Sequence, residues 1–342
     1  MKNLLNEQEL QALRTHIAQS SRILICAHRG PDGDAMGSSL GWAEYLRQQG
    51  KQVDIVMPTP FPDFLRWMPG SQDIRFYARH EAEAEQVIAQ ADLIFCLDFN
   101  GLQRLQEMQA PVAAAQAKRI IIDHHLDPDR SIAAQVVSFP TRCSTSEIVC
   151  RLIIELGGWD ELPQKAAVCL YTGMMTDTGG FTYNSNDPEI YEVISMLLTK
   201  GIDKDKIYRN VFNVYSEDRM RLTGYILYRK LRFYYNRHAS IFALTREEMR
   251  RFHFIRGDAE GLVNMPLQVK GMRLSISLRE DTERDVVRVS LRSVDDFPCN
   301  RMAEEFFHGG GHLNASGGEL PFPLSEAMLT AERAIKAYAD LL

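Results

Sequence analysis

The chain has 342 residues, 45% hydrophobic and 25% charged, which excludes a disordered or fibrous protein and makes two domains the default expectation. Its net charge of −6 lacks the basic surplus with which proteins grip long nucleic acid, so a long duplex is not expected and a short phosphorylated molecule fits better. The N-terminal MKNLLNEQEL offers no apolar run for a signal peptide, no stretch reaches the roughly 18 apolar residues of a membrane span, and six scattered cysteines form no CxxC pair. A cytoplasmic chain with free, buried thiols and no membrane partner is expected.

In chain order, residues 22–28 (RILICAH) form a continuous apolar run ending in polar residues, as buried parallel strands do. A helix is predicted over 35–49, stopped by Gly50, then a strand over 52–57 closed by the turn-rich PTPFPDF. LIFCLD (93–98) and RIIID (119–123) read as two more apolar strands, each ending in Asp. This β–α–β rhythm predicts an α/β fold with a parallel sheet flanked by helices. Helices follow over 144–156, 163–175 and 188–199, and from 203 to about 229 the chain reads as almost wholly helical.

The last third changes style. Strands are predicted over 239–244, 272–278 and 286–293, with a short helix over 245–252 opened by a capping box of Thr245 and Glu248. A helical stretch over 301–307, the run Gly309-Gly310-Gly311 and a final helix near 325–341 complete a smaller α/β domain with a mixed sheet.

Four places put Asp or His at or beside a predicted strand end: His28 to Asp34 (HRGPDGD), Asp98, Asp123-His124-His125, and Asp177 in MMTDTGGF. Ligands of open parallel sheets bind at the carboxyl ends of the strands, so the first three would converge on one edge. Carboxylates with imidazoles and no thiolates suit Mn²⁺ or a similar divalent ion. One Asp after a strand is an ordinary cap, and one His an ordinary core residue, but so many acids at neighbouring strand ends would repel one another without a cation. Ser38 and Ser39 read as residues of the first helix rather than nucleophiles. Phe233, Tyr234 and Tyr235 read as core rather than a base-stacking platform.

These four segments, in this order, resemble the DHH family of phosphoesterases, named for the Asp-His-His present as Asp123, His124 and His125. The segment GGGHLNASGG (309–318) resembles the signature of the DHHA1 domain that accompanies it. The resemblance covers the chain from about Ser20 to the last helix. It implies a DHH metal-binding domain over 1–200, a helical linker over 201–230 and a DHHA1 substrate-binding domain over 231–342. His28 and Asp32 would hold one metal, Asp34, His124 and Asp177 a second, and Asp98 would bridge them. The metals are expected to be two Mn²⁺, with Mg²⁺ or Co²⁺ as substitutes, sharing a hydroxide that attacks phosphorus.

By the same resemblance, Asp123 supports His124 from behind, and His125 faces the scissile phosphate. Arg292 resembles the family's substrate-phosphate arginine, and Gly309, Gly310, Gly311, His312, Asn314 and Ser316 line the substrate; Arg29, between metal ligands, is a further phosphate contact. Family members of this domain pattern hydrolyse short oligoribonucleotides and 3′-phosphoadenosine 5′-phosphate, and the extra domains of the long exonucleases and of the membrane cyclic-dinucleotide phosphodiesterases are not expected. Cyclic di-AMP or linear pApA hydrolysis, pyrophosphate hydrolysis, and nucleotide binding without catalysis are the alternatives. A homodimer is compatible with the family.

Overall fold

The structure, a computed structural model, describes residues 1–255 and 257–342. It divides into two compact units, Met1–Val214 and Tyr215–Leu342.

The first unit runs α1 (Glu7–Gln19), β1 (Arg22–Ala27), α2 (Gly33–Gln48), β2 (Gln52–Met57), β3 (Arg75–Phe76), α3 (Glu81–Gln90), β4 (Leu93–Leu97), α4 (Gln109–Ala114), β5 (Lys118–Asp123), β6 (Gln135–Ser138), α5 (Thr145–Glu155), α6 (Gln164–Asp177), α7 (Pro188–Thr199) and α8 (Lys204–Phe212). Its six strands are all parallel, in the order β3-β2-β1-β4-β5-β6. Alternate residues enter opposite cores. Ile23 and Ile25 pack among the helices carrying Leu40, Ile148 and Leu170, whereas Leu24 and Cys26 pack against Ile88 and Val112. Burial on both faces is why these strands read as unbroken apolar runs. Strand order reverses between β1 and β4, the switch point at which such sheets open a crevice.

Three helices meet closely over this sheet. A Cβ on Gly37 of α2 would lie 2.6 Å from the Cys169 carbonyl oxygen of α6, and one on Gly173 would lie 1.9 Å from Ser146 Oγ of α5. The missing side chains bring the first turns of α2 and α5 against the last turns of α6.

The second unit runs α9 (Glu217–Tyr225), a π-helical turn (Ile226–Lys230), β7 (Arg232–Tyr234), β8 (Ala239–Leu244), α10 (Arg246–Arg251), β9 (Leu274–Glu280), β10 (Val286–Ser293), α11 (Cys299–Phe307), β11 (Gly310–His312), β12 (Ala315–Pro321) and α12 (Leu324–Ala337). Its sheet, in the order β11-β12-β10-β9-β8-β7, is mixed: β8 and β9 are parallel, the other neighbours antiparallel. Val287, Val289 and Leu291 pack on Phe307, Ala331 and Ile335, while Phe242 and Leu244 pack on Leu222, Ile226 and Met249. The α/β class, the parallel first sheet and the mixed second sheet agree with the sequence reading. All six cysteines are free and buried. Among the described residues no helix is long and apolar enough to cross a membrane.

Candidate metal centre

The segment after β1 turns through Gly30, which takes a left-handed φ of 69°, and enters α2 at Asp32. Asp32 caps the helix: its Oδ1 accepts from the backbone N–H groups of Asp34 and Ala35, each at 3.0 Å. Its Oδ2 then lies 3.9 Å from His28 Nε2. His28 Nδ1–H donates to the Arg29 carbonyl at 3.0 Å, which fixes the tautomer and leaves Nε2 as the lone-pair nitrogen.

Asp98 follows β4 in the left-handed region, φ 63°, and is 2% exposed. One carboxylate oxygen, Oδ2, lies 3.5 Å from His28 Nε2, and the other, Oδ1, lies 3.6 Å from His124 Nε2. His124 Nδ1 faces the Arg142 carbonyl at 3.4 Å. Around His124 Nε2 stand Asp34 Oδ2 at 3.9 Å and Asp177 Oδ2 at 3.7 Å. Two donor sets result, His28 with Asp32 and Asp98, and Asp34 with His124 and Asp177, each with ligand atoms within 4.8 Å of one another. These spacings exceed hydrogen bonds, yet each pair is close enough for one divalent ion with ligands near 2.0–2.2 Å to touch both atoms. The donors are hard oxygens and imidazoles, a set that fits Mn²⁺ or Mg²⁺.

Charge tells the same story. Burial alone would lower the His28 pKa, yet the Asp98 and Asp32 carboxylates outweigh it and push it up to about 9. His124 is raised in the same sense, burial again overcome by Asp98 and Asp34. Asp34 is raised well above the carboxylate range by burial and by the charges of Asp98 and Asp177. Asp98 is held far below that range because His28, His125 and His124 outweigh its own burial. Such a cluster calls for compensating positive charge.

Three placements differ from the sequence reading. Asp123 takes a partner that the sequence reading did not give it: its Oδ1 accepts from His125 Nδ1 at 2.7 Å, while its charge also acts on His124. Asp177 is not a strand-end or loop residue but closes α6, and the glycine-mediated crossing carries it to Asp34. The glycine run is a strand rather than an open phosphate loop: β11 pairs with β12, and a Cβ on Gly309 would lie 1.8 Å from the Gly317 carbonyl oxygen. Asn314 and Ser316 tie this hairpin down, Asn314 Nδ2 donating to Ser293 Oγ at 2.9 Å and Ser316 Oγ to the His312 carbonyl at 2.8 Å. Arg292 stands half-exposed on β10, and His312, at the end of β11, is half-buried. Arg29 lies on the rim, 3.7 Å from Glu107.

The sequence reading missed the residues that hold the acids. Asp34 accepts from the backbone N–H groups of Thr145 at 2.7 Å and Ser146 at 2.8 Å, so the N-terminus of α5 cradles it. Thr145 Oγ1 donates to Asp98 Oδ1 at 3.0 Å. Behind them, buried Arg151 pairs with Glu147 at 3.2 Å and Glu189 at 2.9 Å, and Arg142 reaches Asp187 at 2.8 Å. The ST-rich cap was legible as a helix start; nothing local in it announces a carboxylate partner more than 100 positions away.

The parallel sheet, the switch-point crevice and the acid–imidazole cluster define a class: the chain belongs to the DHH family of phosphoesterases, and residues 22–174 match the model of the DHH family, N-terminal domain. Among individual relatives, it is 28% identical to the bifunctional oligoribonuclease and PAP phosphatase NrnA of Thermus thermophilus over 298 residues, 87% of this chain and 84% of that protein. The Bacillus subtilis protein of the same name is 26% identical over 91% of this chain and 92% of its own length. A crystal structure of an exopolyphosphatase-related protein from Bacteroides fragilis is 49% identical, with a TM-score of 0.96, covering 100% of this chain and 99% of that one.

Proposed function

We propose that the chain is a Mn²⁺-dependent nucleotide phosphoesterase that hydrolyses short oligoribonucleotides to 5′-mononucleotides and 3′-phosphoadenosine 5′-phosphate to AMP and phosphate. The observation that carries this reading is Asp98, whose two oxygens face His28 and His124 from a single buried carboxylate. His28 and Asp32 would hold one metal, Asp34, His124 and Asp177 the other, and Asp98 would be shared between them. Two divalent ions bound there would supply charge for the phosphate oxygens and lower the pKa of the attacking water.

The chain's own residues do the rest. Backbone N–H groups of α5 hold Asp34 in place, and carbonyls orient His28 and His124. His125, oriented by Asp123, passes a proton to the leaving oxygen from Nε2. Arg292 and His312 select the substrate in this reading. The two relatives named NrnA, matched over most of their length, support the choice of substrates. A second reading, cyclic di-AMP hydrolysis, draws support from the cyclic-di-AMP phosphodiesterase GdpP of Geobacillus thermodenitrificans, 25% identical over 96% of this chain but only 49% of that protein.

The test is a Mn²⁺-dependent panel of di- to pentaribonucleotides, 3′-phosphoadenosine 5′-phosphate, pApA and cyclic di-AMP. Mononucleotides from short RNA and phosphate from 3′-phosphoadenosine 5′-phosphate are expected. Turnover of cyclic di-AMP alone would favour the second reading, and turnover of none would sink both.

A further inference from the structure

The segment after Asp177 is built in a way that holding a metal does not require. Four of the next seven residues, Gly179, Gly180, Phe181 and Asn184, have left-handed backbone, with φ of 55°, 75°, 64° and 48°. For a phenylalanine that conformation is costly and persists only when its surroundings enforce it. They do: the Phe181 ring packs on Tyr171 in the core at 5.7 Å, Gly180 N–H donates to the Met175 carbonyl at 2.7 Å, and Phe181 N–H donates to Thr178 Oγ1 at 3.0 Å. The turn is rigid, and its apolar anchor points inward.

What it presents outward is aromatic. A Cβ on Gly179 would lie 2.2 Å from Cζ and from the hydroxyl oxygen of Tyr183, and one on Gly180 would lie 3.5 Å from Tyr208 Cε2 and 3.9 Å from Phe212 Cε2. Three rings from two separate elements therefore crowd a Gly-Gly backbone that begins two residues beyond Asp177. Tyr208 leans on Phe212 with centroids 4.8 Å apart. Both tyrosines remain about half exposed, Tyr183 at 50% and Tyr208 at 47%. On α8 the core positions are Ile207 and Val211, so Tyr208 is not needed to fill the interior. Half-exposed rings packed on the turn that directly follows the candidate ligand Asp177 are the elements of a sequence-tolerant base platform, since every nucleobase has a π face.

We propose that Tyr183 and Tyr208 form a stacking platform for the nucleobase of the nucleotide being cleaved. They are specificity residues, acting on the base and not on the reacting phosphate. The inference rests on the nucleotide phosphoesterase reading and deepens it: the metal cluster reads the phosphate, and the platform distinguishes a nucleotide from a bare phosphoester. Because each base has a stackable face, the platform favours no sequence.

The experiment is binding, which does not need turnover. Calorimetry with AMP and with ribose 5-phosphate, in the presence of Mn²⁺, isolates the base. Wild type is expected to bind AMP about tenfold or more tighter than ribose 5-phosphate. Tyr183→Ala and Tyr208→Ala should each erase most of that ratio, while Tyr183→Phe and Tyr208→Phe retain it and Mn²⁺ affinity stays unchanged in all four. Equal binding of the two ligands by wild type overturns the proposal, as does an intact ratio in both alanine variants. A fall in Mn²⁺ affinity in step with AMP also overturns it, because the rings would then merely pin Asp177. If Tyr183→Ala fails to fold, Tyr208→Ala on the helix surface decides alone. Wild type that prefers AMP yet hydrolyses no member of the panel refutes the catalytic reading while leaving the platform standing.

Discussion

Asp98 combines a left-handed backbone, near-complete burial and two oxygens aimed at different imidazoles. Asparagine tolerates that backbone, so Asp98→Asn keeps the shape and removes the charge. Activity is expected to fall on the order of 10³-fold, with a loss of Mn²⁺ affinity seen by calorimetry. Asp123→Asn tests a different link: it should lower kcat about 10²-fold with Mn²⁺ affinity nearly unchanged, because it releases His125 and no ligand. The metal-free protein carries a pH signature. His28 is raised from the usual 6.5 to about 9, so its contribution to stability is fully present below pH 6.5 and is lost as pH rises through about 9. His124, raised in the same sense, adds to the slope. Melting in EDTA should thus fall from pH 6.5 to 9 while Mn²⁺ affinity rises, since the ion competes with those protons. Five of the six candidate donors were legible from their place after an apolar strand or within a Gly- and Pro-bearing turn, whereas Asp177 closes α6 and carries neither signal. Their partners were not, because Thr145 and Ser146 reach Asp34 through backbone N–H groups that any side chain would present.

At the scale of elements, the decisive contact is the crossing of α2 and α6. Alanine at Gly37 places a methyl carbon against the Cys169 carbonyl, and backbone cannot move aside as a side-chain tip can. Gly37→Ala should destabilise the protein by about 2–3 kcal/mol and weaken Mn²⁺ binding, read by melting and by calorimetry. Long strands and helices with apolar faces were legible, including β2, β8 and β10 to the residue. What escaped has physical reasons. β3 is two residues long, two of the three residues of β11 are glycines, and β12 reads ASGGELP, whose pairing to β10 is decided by tertiary contacts rather than by local propensity. α1 is another matter: its capping box of Asn6 and Glu9 is a local signal present in the sequence, and reading it would have placed the helix.

At the scale of the whole molecule, each unit owns its core, and the six candidate donors of the two sets belong to the first. Calorimetric unfolding is expected to show two transitions, of which Mn²⁺ raises only the one belonging to residues 1–214, by about 2.7 kcal/mol at a hundredfold excess over its Kd. One cooperative transition, or an equal shift of both, would contradict this independence.

The buried cysteines offer a clock for that prediction. Cys26, Cys96, Cys143, Cys150 and Cys169 lie in the first unit and Cys299 alone in the second, none of them accessible in the folded chain. A thiol reagent followed by peptide mass spectrometry would therefore time the opening of each unit separately, in native buffer and without any introduced label.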